Sequence, residues 1–242
     1  MLSDQDYIES VDLSTYLTQV ISQLISSRPD NSSSFCKSFF DRLSSQSHVL
    51  GQSYATITSC RLNRRAFVKC CKDAFEGFSP TGLISTFDHA ILIRALCPNI
   101  ATALLHDVHF IITSVGVEQS RSYQLIDLNS GLYFMIIYEE WIYEMKLEFD
   151  ESAIMKLSKL ESTINNLRNL KGLYIDIPYA HTLENVINHA KTTFGEDGEI
   201  SFDSFRRFCC TDKTVRDSLY LLISSNNTNK VAGGNTNNSK KG

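Results

Sequence analysis

Apolar residues near the start of the chain repeat at helical spacing and predict two short helices. The first helix places its apolar face on residues three or four positions apart: Leu13, Leu17, Val20, Ile21 and Leu24. Pro29 cannot lie inside a helix, and residues 30–34 provide turn and N-cap side chains. The second helix then presents an apolar face on Phe35, Cys36, Phe39, Phe40 and Leu43. The pattern predicts an antiparallel helical hairpin over residues 10–46.

The rest of the chain alternates apolar-faced helical segments with short polar loops and predicts an all-α fold. Helices are expected at 63–75, within 83–96, after Asn99, and at 133–149, 154–167, 183–190, 202–210 and 215–222. The segment 133–149 is apolar nearly all round, which is typical of a helix buried in a core. Residues 114–131 are polar, with a short strand pattern in YQLIDL. We expect a helical domain over residues 60–224 and a disordered Asn- and Ser-rich tail over residues 225–242.

Two loop segments resemble the calcium-binding loops of EF-hands: GFSPTGLISTFD at 77–88 and TFGEDGEISFDS at 193–204. Each has glycine at loop position six and isoleucine at position eight, the residue that pairs such loops through a short β-bridge. Calcium also needs oxygen ligands at positions one, three and five and a bidentate Glu at position twelve. The first loop offers Gly77, Ser79, Thr81 and Asp88, and the second offers Thr193, Gly195, Asp197 and Ser204. Carboxylates are too few for an ion, so we expect degenerate EF-hand-like units that serve as a scaffold without a bound cofactor.

Composition and charge narrow the class of protein. The net charge of −4 over 242 residues disfavours a nucleic-acid binder, which usually carries a basic excess. The most apolar run, GLYFMIIYEEWIYEMKL, is interrupted by Glu139 and Glu140 and is shorter than the roughly 20 apolar residues of a membrane span. Seven cysteines without any C-x-x-C spacing indicate buried, reduced thiols in a cytosolic protein. We therefore expect neither nucleic acid nor a membrane as partner.

No motif for catalysis is recognisable. The sequence has no G-x-S-x-G, no P-loop and no glycine-rich nucleotide fingerprint. His106 and His109 lie three positions apart, but no further metal ligands follow at a recognisable spacing. Glu139 and Glu140 are adjacent, so on a helix their carboxylates diverge by about 100°. We expect a protein that is not an enzyme.

A basic stripe is predicted on the helix near residue 65. It comprises Arg61, Arg64, Arg65, Lys69 and Lys72, opposite an apolar face of Phe67, Cys70 and Cys71. Two interpretations are open: a solvated helix face, or a contact surface for an acidic partner such as the carboxylate-rich tails of tubulin.

The hairpin supplies the expected partner-docking face, which comprises Leu17, Val20, Ile21, Leu24, Phe35, Phe39 and Leu43. A two-helix unit this small must bury that face against the main domain, or in a homodimer whose four-helix bundle leaves a groove for a partner helix. The Pro-Asp turn and the Phe-rich second helix that ends in Arg-Leu resemble the dimerisation/docking module of protein kinase A regulatory subunits.

In the order of its parts, the chain resembles the family of centriolar satellite-associated tubulin polyglutamylase complex regulators. After the hairpin, the resemblance is carried by RRAFVKCCKDAF, by LIRALCP at 92–98, by LYFMIIYEEWIYEMKLEF, and by LENVINHA followed by ISFDSFRRFC. The chain departs from the family in a longer polar insert near 114–131 and in a short Asn-rich tail.

The resemblance implies a non-catalytic scaffold or regulatory subunit of a tubulin polyglutamylase complex. Such a protein positions the ligase on microtubules at centrioles, basal bodies or cilia, with the other subunits and tubulin as partners. Two alternatives are a docking-module adaptor of flagellar or kinase-anchoring assemblies and a calcium-responsive EF-hand protein.

Overall fold

Helices account for most of the molecule. The computed structural model describes residues 13–79, 82–113, 122–149, 154–171 and 175–225. These residues form twelve helices and four short strands, so the predicted all-α class is confirmed. Of the expected tail at 225–242, Ser225 is the last residue of a helix, and residues 226–242 lie outside the described residues. None of the described helices is both long and apolar enough to cross a membrane.

The elements follow one another along the chain with short connections. The helices are α1 (Leu13–Ser27), α2 (Ser32–Ser44), α3 (Tyr54–Thr58), α4 (Arg61–Phe75), α5 (Thr86–Leu96), α6 (Thr102–Thr113), α7 (Leu125–Ile137), α8 (Glu139–Glu148), α9 (Leu157–Lys171), α10 (Ala180–Phe194), α11 (Phe202–Thr211) and α12 (Lys213–Ser225). The strands are β1 (Leu83–Ile84), β2 (Tyr123–Gln124), β3 (Ile154–Lys156) and β4 (Glu199–Ser201).

Four helix–strand–helix units are joined in two pairs by their strands. Strand β1 pairs antiparallel with β2, and β3 pairs antiparallel with β4 in a register that places Met155 opposite Ile200. An identical hydrogen bond closes each pair: Leu125 N donates to Gly82 O at 3.0 Å, and Leu157 N donates to Gly198 O at 3.0 Å. The two pairs are therefore built in the same way, although the glycine loop comes first in one pair and second in the other.

Helix α7 is the centre of the main core. All its residues except Ile126 and Asp127 are buried, and it packs against α4, α5, α6, α11 and α12. Gly131 permits the close approach of α6, because a Cβ there would lie 3.1 Å from Ile112 Cδ1. Trp141, at the start of α8, extends this core and is fully buried.

Three sequence predictions around this core are wrong. The expected single helix from Tyr133 to Phe149 instead begins at Leu125 and breaks at Tyr138, whose buried ring packs on Phe134 and Trp141. Residues 125–131 were predicted to belong to a polar insert, but they form the first turns of α7. Their polar side chains are accommodated because they have partners inside the fold. The third error concerns residues 154–156, which form β3 rather than the first turn of a helix.

Polar side chains of α5, α6 and α7 form a buried hydrogen-bonded network. His89 Nε2 lies 3.1 Å from Asn129 Oδ1, and His89 Nδ1 lies 3.0 Å from His109 Nε2. The carbonyl oxygen of Asn129 can only accept, so the His89 Nε2 carries the proton and its Nδ1 accepts from His109. Burial lowers the pKa of His89 to about 4, against the opposing hydrogen bond to Asn129 and with a smaller contribution from the nearby His109. Burial likewise lowers the pKa of His109, with His106 acting in the same direction.

We predict that this network makes folding sensitive to acid. Because the folded-state pKa of His89 lies below the unfolded value of 6.5, its stabilising effect is complete above pH 6.5 and is lost as the pH falls towards 4. The shift corresponds to about 3 kcal/mol of unfolding free energy. Urea unfolding of the wild type and of His89→Gln at neutral pH and near pH 4 should show a flatter pH dependence for the variant. His181→Gln, at an exposed position, is the control. Parallel pH profiles for all three proteins would contradict this assignment.

Candidate functional site

One edge of the α1–α2 pair is attached to the start of α4. Tyr16, Val20 and Phe39 form a small second core with Cys60, separate from the main one. The ring of Tyr16 packs edge-on against His48, whose Nε2 lies 2.8 Å from Asn63 Oδ1. The two helices therefore pack in cis on the body through one side.

The neighbouring side of α1 has an exposed apolar ridge, which we call the outer stripe: Leu13, Leu17, Ile21 and Ile25, exposed by 36%, 44%, 56% and 66%. These residues follow one another at a spacing of four, the ridge geometry through which helices pack on other helices. Phe40 of α2 is also exposed.

The predicted docking face is thus divided between two environments. Val20 and Phe39 are buried in the second core, while Leu24, Phe35 and Leu43 are half-buried. Only Leu17 and Ile21 of the predicted face remain in the outer stripe. Ile25 was not included in the predicted face, although its position four residues after Ile21 was the signal for it.

Most of the predicted basic stripe is engaged inside the fold. Arg64 is 1% exposed, and its guanidinium donates to Glu140 Oε2 at 2.7 Å and to Thr58 O at 3.0 Å. Arg65 donates from Nε and Nη2, one edge of its guanidinium, to the two carboxylate oxygens of Asp176, itself only 5% exposed. The prediction that Arg64 faces solvent is wrong, because it lies three and four positions before Phe67 and Val68 on the buried side of α4.

The lysines of that stripe also have partners. Lys69 Nζ pairs with Asp73 at 2.6 Å, and Lys72 Nζ lies over the Tyr220 ring at 5.5 Å from its centroid. Arg61 is half-buried at the first turn of α4. The five basic residues therefore do not form one continuous solvated surface.

The two glycine loops direct their polar side chains into helix caps. Ser85 accepts from Asp88 N at 3.0 Å, and its hydroxyl donates to the Asp88 carboxylate at 2.6 Å. Ser201 caps α11 in the same way by accepting from Ser204 N at 3.1 Å. The position-twelve side chains, Asp88 and Ser204, are therefore hydrogen-bonded to the cap serines. Thr81 lies outside the described residues.

Charged groups close to the second loop pair with cations. Asp203 pairs with Arg206 at 2.6 Å, and Glu196 lies 3.6 Å from Lys191. Thr193 donates its hydroxyl to His189 O at 2.9 Å, within its own helix. Within the described ranges, no group of three or more His, Cys, Asp or Glu side chains is placed to hold a metal ion.

Buried thiols and carboxyls complete the inventory of reactive groups. All seven cysteines are thiols, and burial raises the pKa of Cys210 to about 12 and that of Cys71 and Cys209 well above the ordinary range. These thiols stay protonated at neutral pH, which makes them poor nucleophiles. Burial also raises the pKa of Glu139, against the opposing effect of Arg64.

Comparison of the chain with protein-family models, with curated proteins and with solved structures found no match. The resemblance to tubulin polyglutamylase complex regulators therefore rests on the sequence motifs alone. Function is therefore inferred from the set of side chains that are paired within the fold and the set of surfaces that are exposed to solvent.

We predict that Arg64 contributes to stability far more than Lys69. Arg64→Ala removes a buried guanidinium and leaves Thr58 O without its donor, so we expect a loss of about 2–3 kcal/mol. Lys69→Ala removes an exposed pair one helical turn apart and should cost less than about 0.5 kcal/mol. Urea unfolding midpoints measure both. Equal midpoints for the two variants would show that Arg64 lies on a solvated face after all.

We also predict that the glycine at loop position six is required sterically. A Cβ at Gly198 would lie 2.4 Å from Phe194 O, so Gly198→Ala should destabilise the protein by about 2 kcal/mol or more. At Gly77 a Cβ meets nothing within 4 Å, so Gly77→Ala is the matched control and should change stability by less than about 1 kcal/mol. Thermal unfolding distinguishes them, and a harmless Gly198→Ala would exclude the tight turn.

Proposed function

We propose that this chain is a non-catalytic scaffold subunit whose α1–α2 pair binds a neighbouring protein. The observation that carries the proposal is the outer stripe of α1, where branched apolar side chains face solvent in a row. A protein gains nothing from such a row in water, whereas a partner helix can cover it with its own apolar face.

The energy available from the stripe decides what kind of contact it can make. Complete burial of a Leu or Ile side chain contributes about 1.5–3 kcal/mol. The stripe residues are on average half exposed, so covering all of them contributes roughly 4 kcal/mol. Association costs about that much or more in lost translational and rotational freedom. We therefore propose the stripe as the centre of a larger interface that also includes Phe40.

A scaffold needs more than one contact surface, and a second apolar ridge supports this role. Phe87 and Ile91 lie four positions apart on α5 and are both exposed, as is Leu83 in β1. This ridge belongs to the first strand-paired unit, whereas the outer stripe belongs to the α1–α2 pair. Two separate ridges allow the chain to hold two proteins at once.

The body between these ridges is, in our proposal, built from degenerate EF-hands in two pairs. Four features support this interpretation: the helix–strand–helix order, the strand pairing, glycine at loop position six, and Ile84 and Ile200 within the strands. In this interpretation the short strands and the serine caps stabilise the loops, which in an EF-hand would be stabilised by the bound ion. A calcium-responsive protein is a weaker alternative, since Asp88 is already bonded to its cap.

The tubulin polyglutamylase complex is proposed as the assembly on the basis of the sequence resemblance. Its motifs fall on structural elements: RRAFVKCCKDAF lies in α4, LIRALCP ends α5, and LYFMIIYEEWIYEMKLEF spans α7 and α8. Glutamate addition needs an ATP site, and no nucleotide-binding motif occurs in this sequence. The proposal therefore assigns catalysis to another subunit, and to this chain the positioning of the ligase on microtubules.

We predict that Ile21→Asp releases a partner without unfolding the chain, because a carboxylate at the centre of the stripe would have to be desolvated in the interface. Co-purification of the tagged chain from ciliated cells, with partners identified by mass spectrometry, measures the effect. Ser22→Asp, at the neighbouring exposed position, is the matched control and should retain all partners.

The identity of the released protein separates the alternatives. Loss of a tubulin ligase subunit supports the proposal, whereas loss of a kinase-anchoring or flagellar helix supports the adaptor. Light scattering of the purified chain reveals whether a second copy covers the stripe instead. An unchanged partner set from folded Ile21→Asp would contradict the stripe as an interface.

A further inference from the structure

Three arginines converge on a single recess at the side of α4. Arg61 and Arg65 of α4 and Arg168 of α9 line it, together with the segment 175–179, Tyr138 and Leu222. Its volume of about 500 Å³ is within the range of ligand-binding clefts. We propose that this arginine recess binds a carboxylate-rich peptide segment.

The charge of the recess favours an anionic ligand. The side chains that line the recess include three arginines and one carboxylate, Asp176, so their formal charges sum to +2 (three minus one). The whole chain carries −4, so this local excess opposes the general charge of the protein. An anionic segment is attracted to such a recess and repelled by most of the remaining surface.

The contact between Arg65 and Asp176 shows how an arginine in the recess binds a carboxylate. Arg65 holds that carboxylate with Nε 3.0 Å from Oδ2 and with its terminal nitrogen on Oδ1. The planar fork of a guanidinium matches the two oxygens of a carboxylate in this way. Within the described residues, Arg168 donates one N–H to Pro178 O at 3.3 Å. Its fork can receive a second carboxylate.

The apolar part of the lining favours a peptide over a nucleic acid. Ile175, Ile177 and Pro178 form the wall beside the arginines, and the exposed Tyr179 lies at the same edge. Glutamate side chains bring aliphatic stems that fit such a wall. A nucleic acid requires an extended basic surface along its backbone, which a confined recess on an acidic chain does not offer.

The recess revises the predicted acidic contact. It retains Arg61 and Arg65 of the basic stripe, excludes the buried Arg64, and adds Arg168 from a helix distant in sequence. The identification of the natural ligand as the glutamate-rich tail of tubulin rests on the proposed function. The proposal that the recess binds carboxylates is independent of that function.

Fluorescence anisotropy with a fluorescein-labelled oligoglutamate peptide and the purified full chain tests the proposal. The wild type should bind, with affinity that falls as salt is raised. Arg61→Ala/Arg168→Ala should weaken binding by about tenfold or more, and Arg168→Lys, which keeps the charge but loses the fork, should fall between the two. Arg65 is left unchanged because it holds Asp176. Arg94→Ala, an exposed arginine on α5, should bind like the wild type.

Three results would overturn the recess as a carboxylate site. They are no binding by the wild type at millimolar peptide, equal weakening by Arg94→Ala, and displacement of the peptide by equimolar inorganic phosphate or oligonucleotide. Circular dichroism checks that each variant is folded, and Arg168→Lys remains informative if the double variant is not. None of these results bears on the outer stripe, so the scaffold proposal is tested separately by the Ile21→Asp co-purification.

Discussion

The burial of α7 on every side is the constraint on which the rest of the structure depends. A helix without a solvated face must be covered all round, and here five other helices do so. Gly131 brings α6 close, and Trp141 continues the same core into α8. The strand pairs then join the segments that directly precede four of the helices, and β2 of the first pair leads directly into α7.

Several polar groups in and around α7 are paired within the fold. Asp127 pairs with Arg216, Asn129 bonds with His89, and Arg64 bridges Glu140 and Thr58. Each of these groups neutralises or caps another inside the fold, which suits a rigid body. The surfaces that the described residues leave to solvent include apolar ridges on α1 and α5 and a recess lined with arginines. Those surfaces are suited to holding other proteins.

Local patterns predicted much of this structure. Spacing alone located α1 and α2, and glycine followed by isoleucine located the loops that contain β1 and β4. The short strand predicted in YQLIDL contains β2, but its pairing with β1 was not predicted, and β3 was predicted as a helix because Met155 lies in a segment without the glycine signal. Pairing between distant segments is not visible in a single local pattern.

Charge placement was the least predictable property. Arg64 looks like its neighbours in the sequence, and only packing against Glu140 and Thr58 shows it to be a core residue. Arg168 was missed for the same reason, since nothing nearby in sequence points to the recess that it shares with α4. The side of a helix that is buried depends on neighbours far along the chain.

Hydrogen–deuterium exchange, measured on the purified chain and on its purified complex, tests the central claim most directly. The account predicts that the amides of α7 are strongly protected in both samples, while those of α1 exchange quickly in the isolated chain and become protected in the complex. Equal exchange of α1 in the two samples would contradict the claim that its outer stripe is covered by a partner.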